Sequence, residues 1–392
     1  MPSVDTAPRF SADEAARVAR EVFAVEGESR ELPSERDQNF RLRTTGGREL
    51  VLKIANPREL RDRLAFQNEV MTVLAADPGG PLAPRPLPAE DGSTIAVVPG
   101  RGGEPHFVRL VEYLPGRPLG EVRPHSPRLL TDLGAFAARL VRALSALPQR
   151  EYQPDLIWNL KNGRRVVREN VPLVVDPARR VTLDAVFRTV EERAALFEGL
   201  PEGLVHNDGN DYNVIVAPPD TAPGSFGDMR VAGFIDFGDM TRSWVLSDLA
   251  VVLAYAMLDK DDPLGDAALV VSGYDAVLPL SDEDLRALFP LACLRLCMSV
   301  SIAALQKKLD PGNSYLTISE APAWRLLERL KDVPPAFAEG VFRQACGRPL
   351  FPAAEPIVRW LEAHRVSFAP VMGYPLDARA VTVFDLGPAS AH

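Results

Sequence analysis

Residues 206–213 read His206, Asn207, Asp208, Gly209, Asn210, Asp211, Tyr212 and Asn213, between the apolar pairs Leu204-Val205 and Val214-Ile215. A second run follows: Gly233-Phe234-Ile235-Asp236-Phe237-Gly238-Asp239. Asp208, exposed in a loop just after a short strand, can accept the proton of an attacking hydroxyl or orient that hydroxyl. Asn213, later in the same loop, offers an amide oxygen. Asp236 ends the apolar stretch from Val231 to Ile235, which would deliver its carboxylate to the same point. Carboxylate and amide oxygens beside polyphosphate suit Mg2+, which keeps several waters. A base, an amide and a second carboxylate are what phosphoryl transfer from a nucleotide needs. Asp, Asn and Gly also gather in ordinary turns; two such runs in this order weigh against that alternative. His206 is better placed to shape the loop by hydrogen bonds than to act as a base.

Upstream, Lys53 ends an alternating strand and Glu69 lies on the helix that follows. A lysine reaching the α- and β-phosphates, positioned by a helix glutamate, would be the nucleotide half of such a site; ordinary surface charge is the alternative. No Gly-x-Gly-x-x-Gly or Walker-type loop is present. Between Glu31 and Asn39, Ser34 and nearby backbone amides could touch phosphates, or the segment is a plain hairpin turn. Asp248 precedes an apolar helix and reads as its N-cap. Asp211 and Asp239 could place negative charge beside an acceptor hydroxyl, although isolated loop carboxylates are usually solvated. Trp158, in Ile157-Trp158-Asn159-Leu160, could face a cationic substrate or sit in the core.

The elements that must position these residues change character along the chain. Ser11, Asp13 and Glu14 open a helix with Ala15, Val18, Ala19 and Val22 on one face. Residues 39–43 and 49–54 alternate about Gly46-Gly47, a hairpin signal. A helix is predicted from Arg58 to Ala76 on Leu60, Leu64, Val70, Val73 and Leu74, then strands near 95–98 and 107–111. Beyond Glu112-Tyr113-Leu114-Pro115-Gly116 the pattern is mostly helical: 126–147, 183–200, 248–258, 282–308, 323–330 and 354–363. The Pro-, Gly- and Asp-rich stretch from Ala217 to Met229 reads as a hairpin loop between strands.

The chain has 392 residues, 46% hydrophobic and 25% charged, enough for a sizeable core. Its net charge of −9 argues against nucleic acid as a partner. The three cysteines, Cys293, Cys297 and Cys346, form neither a disulfide framework nor a metal set and read as reduced thiols. The N-terminus lacks the marks of a signal peptide. The run judged most apolar, Val245 to Leu258, is too short for a membrane span and contains Asp248. A cytoplasmic protein is expected.

The His206-x-Asp208-x4-Asn213 and Asp236-Phe237-Gly238 runs, with Lys53 and Glu69, resemble the aminoglycoside phosphotransferase and choline kinase superfamily, a small-molecule branch of the protein-kinase-like fold. Ser34 to Phe40, Ile157 to Leu160, Asn210 to Asn213, Ile235 to Met240 and Tyr315 to Pro322 look closer to hydroxylysine kinase. They also look like kinase domains fused to class III aminotransferase-like enzymes. The resemblance implies an α+β, bilobal fold: a small β-rich N-lobe (1–112), a larger mostly helical C-lobe (113–335) and an extension packed on it (336–392). It implies ATP or GTP with Mg2+, Asp208 as base, Asn213 and Asp236 on the metal, Lys53 on phosphate, and the backbone of Glu112-Tyr113 as a hinge against the nucleotide base. Gly209-Asn210 departs from the bulkier residues of other branches. The expected acceptor is an amino alcohol or hydroxylated amino acid. An aminoglycoside-type antibiotic acceptor and a nucleotide-binding pseudokinase scaffold are the rival readings. The fused relatives imply a PLP-dependent, aminotransferase-like enzyme as partner or neighbouring domain.

Overall fold

The computed structural model describes residues 8–34, 37–148, 156–218, 229–309, 320–350, 354–372 and 375. The chain divides into two compact units. One comprises Met1–Glu121 with Tyr212–Asp220 and Val231–Gly238. The other comprises Val122–Asp211, Thr221–Arg230 and Asp239–His392. The units are therefore not contiguous blocks of sequence.

The first unit opens with α1 (Ala12–Phe23). Ser11 Oγ accepts the Glu14 N–H at 3.2 Å and the Glu14 carboxylate accepts the Ser11 N–H at 2.7 Å, a reciprocal cap on two otherwise unpaired donors. Three strands follow: β1 (Gly27–Leu32), β2 (Gln38–Thr44) and β3 (Glu49–Ile54). Then come α2 (Arg61–Ala75), β4 (Pro86–Leu87), β5 (Ala96–Pro99), β6 (Pro105–Glu112) and β7 (Arg117–Pro118). The sheet order is β1-β2-β3-β6-β4, with β5 also on β6. Alternation along β2 and β3 sends Phe40, Leu42, Leu50, Leu52 and Ile54 into one core with Ala15, Val18, Ala19 and Phe23 of α1. Lys53, on the opposite face from Leu52 and Ile54, is paired in register with Asn39 on β2 and Arg109 on β6.

The second unit contributes α3 (Pro127–Ser145), α4 (Leu160–Asn170), α5 (Pro177–Glu192) and β8 (Glu202–Val205). The chain returns to the first unit for β9 (Val214–Ala217) and β10 (Arg230–Phe234), which build a small sheet in the order β10-β9-β7. Residues 219–228 of the expected hairpin loop lie outside the described residues. The second unit resumes with β11 (Thr241–Trp244), paired to β8, then α6 (Ser247–Ala256), α7 (Pro263–Asp275) and α8 (Asp282–Leu309). Four helices close the described chain: α9 (Glu320–Leu330), α10 (Pro335–Ala345), α11 (Ala354–Ala363) and α12 (Ala369–Met372).

α8 is the spine of this unit, packed by α4, α5, α6, α9 and α10. Its 28 residues are long and apolar enough to cross a membrane, yet 89% of its most apolar window is buried inside the protein. It exceeds Val245–Leu258 as the candidate span, and its apolar surface is consumed by neighbouring helices.

Several expectations shift. α2 starts at Arg61, so Leu60 precedes it and is 69% exposed, as Val73 is 44% exposed; the helix instead buries Gln67 and Asn68. β1, α4, α7 and α10 had no counterpart in the sequence reading. The start of α7 looks like a loop because of Pro263 and Gly265. In fact Asp262 caps it by accepting the Gly265 N–H at 3.0 Å, and Pro263 takes the first turn, where a missing N–H costs nothing. α3 and α7 meet at two glycines: a Cβ on Gly134 would lie 1.8 Å from the Val270 carbonyl oxygen, and one on Gly273 1.9 Å from that of Thr131. Neither backbone can yield without separating the helices. Gly134→Ala should therefore destabilise the protein by about 1–3 kcal/mol or more, measured by urea unfolding; an unchanged midpoint would refute this packing.

Candidate active site

β8 delivers the chain to His206 and Asn207, both fully buried, with Asn207 in the left-handed region at φ 68°. Such backbone in a non-glycine residue persists only where surroundings impose it. Asp248 imposes it here. Its Oδ2 accepts the His206 N–H at 3.0 Å and its Oδ1 the Asn207 N–H at 2.8 Å. Asp248 is thus no N-cap: that position belongs to Leu246, which makes no side-chain cap bond, while the carboxylate turns to the loop. Burial pushes the Asp248 carboxyl up to about 6, against the pull of the two backbone bonds. The Asp208 N–H donates to His206 Nδ1 at 3.3 Å, so His206 shapes the loop as expected.

Asp208 Oδ1 accepts from Asn210 Nδ2 at 3.0 Å and from Arg295 Nη2 at 2.9 Å. Arg295, on α8, is 1% exposed, and its guanidinium lies 4.4 Å from the Trp158 ring centroid and 5.6 Å from that of Tyr255. Its Nη1 donates to the Trp158 carbonyl at 3.3 Å. Burial opposes the charge on Arg295, but Tyr255, Asp208 and Asp239 outweigh it and hold the guanidinium protonated. Arg295 was missed in the sequence. Its signal was a lone charge in the apolar run from Ala287 to Ala303, since a buried cation needs a partner.

Trp158 is half-buried, with Arg295 on its ring. Asn159 fastens that turn: its Oδ1 caps α4 at the Lys161 N–H (3.0 Å) and accepts the Ser243 hydroxyl (2.8 Å). Asp239 and Asp211 are buried rather than solvated. Asp211 Oδ1 has no hydrogen-bond partner among the described residues, and burial pushes its carboxyl up to about 6.

The first unit holds Asn213 and Asp236. The Ile235 N–H donates to the Asn213 carbonyl at 2.9 Å, which fastens the run ending in Asp236 to Asn213. Asp236 is exposed and left-handed at φ 62°, and its Oδ1 accepts the Gly238 N–H at 3.2 Å. Arg63 of α2 donates to the Gly238 carbonyl at 2.7 Å. Among the described residues no group of three or more His, Cys, Asp or Glu forms a metal cage. An amide and a carboxylate fit a hard cation that completes its shell with water and phosphate oxygens.

Lys53 is half-buried and has no ion-pair partner among the described residues. Glu69 is exposed on α2. Beside it, Arg109 of β6 donates to Asn68 Oδ1 at 3.1 Å. Ser34 is exposed and its Oγ accepts from Asn39 Nδ2 at 3.2 Å; residues 35–36 beside it lie outside the described set. At the expected hinge, the Glu112 N–H donates to the Arg85 carbonyl (2.9 Å) and the Tyr113 N–H to the Glu49 carbonyl (3.2 Å), so both donors are already used. Of the Tyr315–Pro322 run, residues 315–319 lie outside the described residues. Cys293 and Cys297 are buried free thiols, and burial pushes Cys293 up to about 12.

A strand lysine in a β-rich unit, and a loop aspartate held from the helices of a second unit, define a kinase-like phosphotransferase. The chain belongs to the phosphotransferase enzyme family known as APH, which matches residues 28–280. It is 31% identical over 343 residues to hydroxylysine kinase of Mus musculus, covering 83% of this chain and 90% of that one. A homoserine kinase of Burkholderia ambifaria is 31% identical over 262 residues, 64% of this chain and 71% of that one. Among solved structures, a microcompartment-associated aminopropanol kinase superposes with TM-score 0.59 at 17% identity, covering 86% of this chain and 99% of that one. An amicoumacin kinase in complex with AMP-PNP and Ca2+ gives 0.58 at 16% identity, covering 82% and 94%. These likenesses establish the fold.

Asp248→Asn offers one oxygen where two N–H groups need acceptors, so kcat should fall. The native carboxyl, near 6, lies above its unfolded value of 3.8. The stability of the parent relative to the variant should therefore be greatest below pH 4 and decline as pH rises through 6, by about 3 kcal/mol. Urea unfolding of both proteins between pH 4 and 7 reads this; a flat difference would refute it.

Proposed function

We propose that this protein transfers the γ-phosphoryl group of ATP or GTP to the hydroxyl of a small amino alcohol or hydroxylated amino acid, 5-hydroxylysine first among candidates. The observation that carries the acceptor class is the company of Asp208. Asp211 and Asp239 are buried carboxylates of the same unit, which suits a cation. Arg295, the buried guanidinium beside Asp208, spends its Nη2 on that carboxylate and its Nη1 on the Trp158 carbonyl. The extended similarity to hydroxylysine kinases supports the same reading.

In this reading the acceptor hydroxyl bonds to the Asp208 carboxylate and attacks the γ-phosphorus in line. The new O–P bond forms as the bond to the β–γ bridging oxygen breaks; the proton passes to Asp208 and the nucleoside diphosphate leaves. Mg2+, held by Asn213 and Asp236, would neutralise charge on the phosphates. Lys53 contacts the phosphates directly. Glu69 and Ser34 would assist from the first unit. With the Glu112 and Tyr113 donors taken, their contribution to a nucleotide base falls to their carbonyls. The reaction belongs to a reducing cytoplasm, as the unpaired thiols suggest. A PLP-dependent, aminotransferase-like enzyme that eliminates the phosphate would consume the product. An antibiotic acceptor is the second reading, favoured by the amicoumacin kinase likeness in fold. A pseudokinase scaffold is disfavoured by the intact Asp208, Asn213 and Asp236.

Nucleotide consumption with a panel of amino alcohols, 5-hydroxylysine included, tests the proposal. Asp208→Asn should lower kcat about 100- to 10,000-fold and also lower the unfolding midpoint, because the buried Arg295 loses its counter-charge; acceptor-dependent turnover that survives the change removes Asp208 as base. Lys53→Met should raise KM for nucleotide while leaving KM for the acceptor within about threefold, the tolerance expected of a contact confined to phosphate.

A further inference from the structure

We infer that Asp211 is the group that recognises the acceptor's ammonium, and so the residue that separates amine-bearing alcohols from neutral ones. The inference rests on the function proposed above and deepens it. Each of the other acids that hold the loop is compensated within the chain. Asp208 has Arg295 at 2.9 Å, and Asp248 has two backbone N–H groups. Asp211 is only 6% exposed, yet its Oδ1 meets no donor and its carboxylate forms no ion pair among the described residues. Arg123 lies within electrostatic reach, but its guanidinium is exposed and donates to the Val122 carbonyl and the His125 ring, both at 2.7 Å. Asp259 adds negative charge to the same neighbourhood. A carboxylate withdrawn from water without a cation is costly, and such groups persist where a ligand supplies the missing partner.

The placement fits a bifunctional acceptor. Asp208 and Asp211 lie three residues apart in one loop of the same unit. A molecule whose hydroxyl bonds to Asp208 can set its ammonium on Asp211. A neutral alcohol would leave the buried Asp211 unpaired, and that penalty is the source of discrimination.

The test uses full-length protein, 5-hydroxylysine or another amino alcohol that the parent turns over, and the N-acetyl derivative of that compound. Asp211→Asn keeps the volume and removes the charge. The amine-to-N-acetyl ratio of kcat/KM should fall on the order of a hundredfold, carried by KM for the amine rather than by kcat. The melting temperature of the ligand-free variant should equal or exceed the parent's, because an uncompensated charge has been removed. Asp211→Glu, which keeps the charge, should recover part of the ratio. An unchanged ratio overturns the inference. So does a fall in melting temperature together with equal loss on both compounds, which would mark a structural carboxylate. A parent that turns over no amine overturns the function proposed above and this inference with it. An active, amine-selective parent with an unaltered variant overturns the inference alone.

Discussion

The ion pair between Arg295 and Asp208 is the constraint around which the second unit is arranged. A guanidinium that is 1% exposed, in the buried stretch of α8 from Ala287 to Ala303, cannot remain without a counter-charge. Asp208 supplies it, and the Trp158 ring and Tyr255 complete its shell. This one cation therefore joins α8, the turn before α4, α6 and the loop that carries Asp208. The pair also restricts Asp208, because a carboxylate bonded at one oxygen by Arg295 and Asn210 has little rotational freedom. Positioning is most of what a phosphoryl-transfer enzyme can contribute, since the phosphorus chemistry asks little covalent help of the protein.

Asp248 performs the complementary task on the backbone. By accepting two adjacent N–H groups it holds Asn207 in a left-handed conformation that a free loop would abandon. Asp236, in the second run, is the other non-glycine site residue with positive φ. The two runs that carry the chemistry thus share a physical trait: each presents its carboxylate through a strained turn that the neighbouring chain stabilises.

The candidate site could be proposed from sequence where chemistry depends on residue type and order. Asp208, Asn213 and Asp236 stand out because few arrangements call for a base, an amide and a second carboxylate on strand-ending loops. What was not legible depends on which way a side chain turns. Asp248 has the sequence context of a helix cap, and only its rotation toward β8 shows that it caps the loop instead. Beside Glu69, which the sequence offered as the helix glutamate for Lys53, Asn68 is buried and bonds to Arg109, because the buried face of α2 includes Leu64, Gln67 and Met71 and no local charge pattern marks it. The hinge donors of Glu112 and Tyr113 are spent on Arg85 and Glu49, a consequence of strand pairing that local sequence does not encode. α4 escaped detection because its exposed face is rich in Lys and Arg, while its buried face includes Gly163, whose Cβ would lie 2.6 Å from Met298 Sδ.

By itself the sequence determined the class of reaction and the strand-rich to helix-rich progression, and it singled out Asp208 as the candidate carboxylate. Those follow from short-range matters: periodicity, turn chemistry and the spacing of oxygen donors. Tertiary structure alone decided which charges are compensated. Arg295 lies far along the chain from Asp208 and meets it only because α8 is packed at the centre of its unit. Asp211 and Asp239 read from sequence either as charge beside an acceptor or as solvated loop carboxylates, and both are buried. Whether a carboxylate is answered by a cation of the chain or left for a ligand is a property of burial and long-range contact, and no local pattern records it.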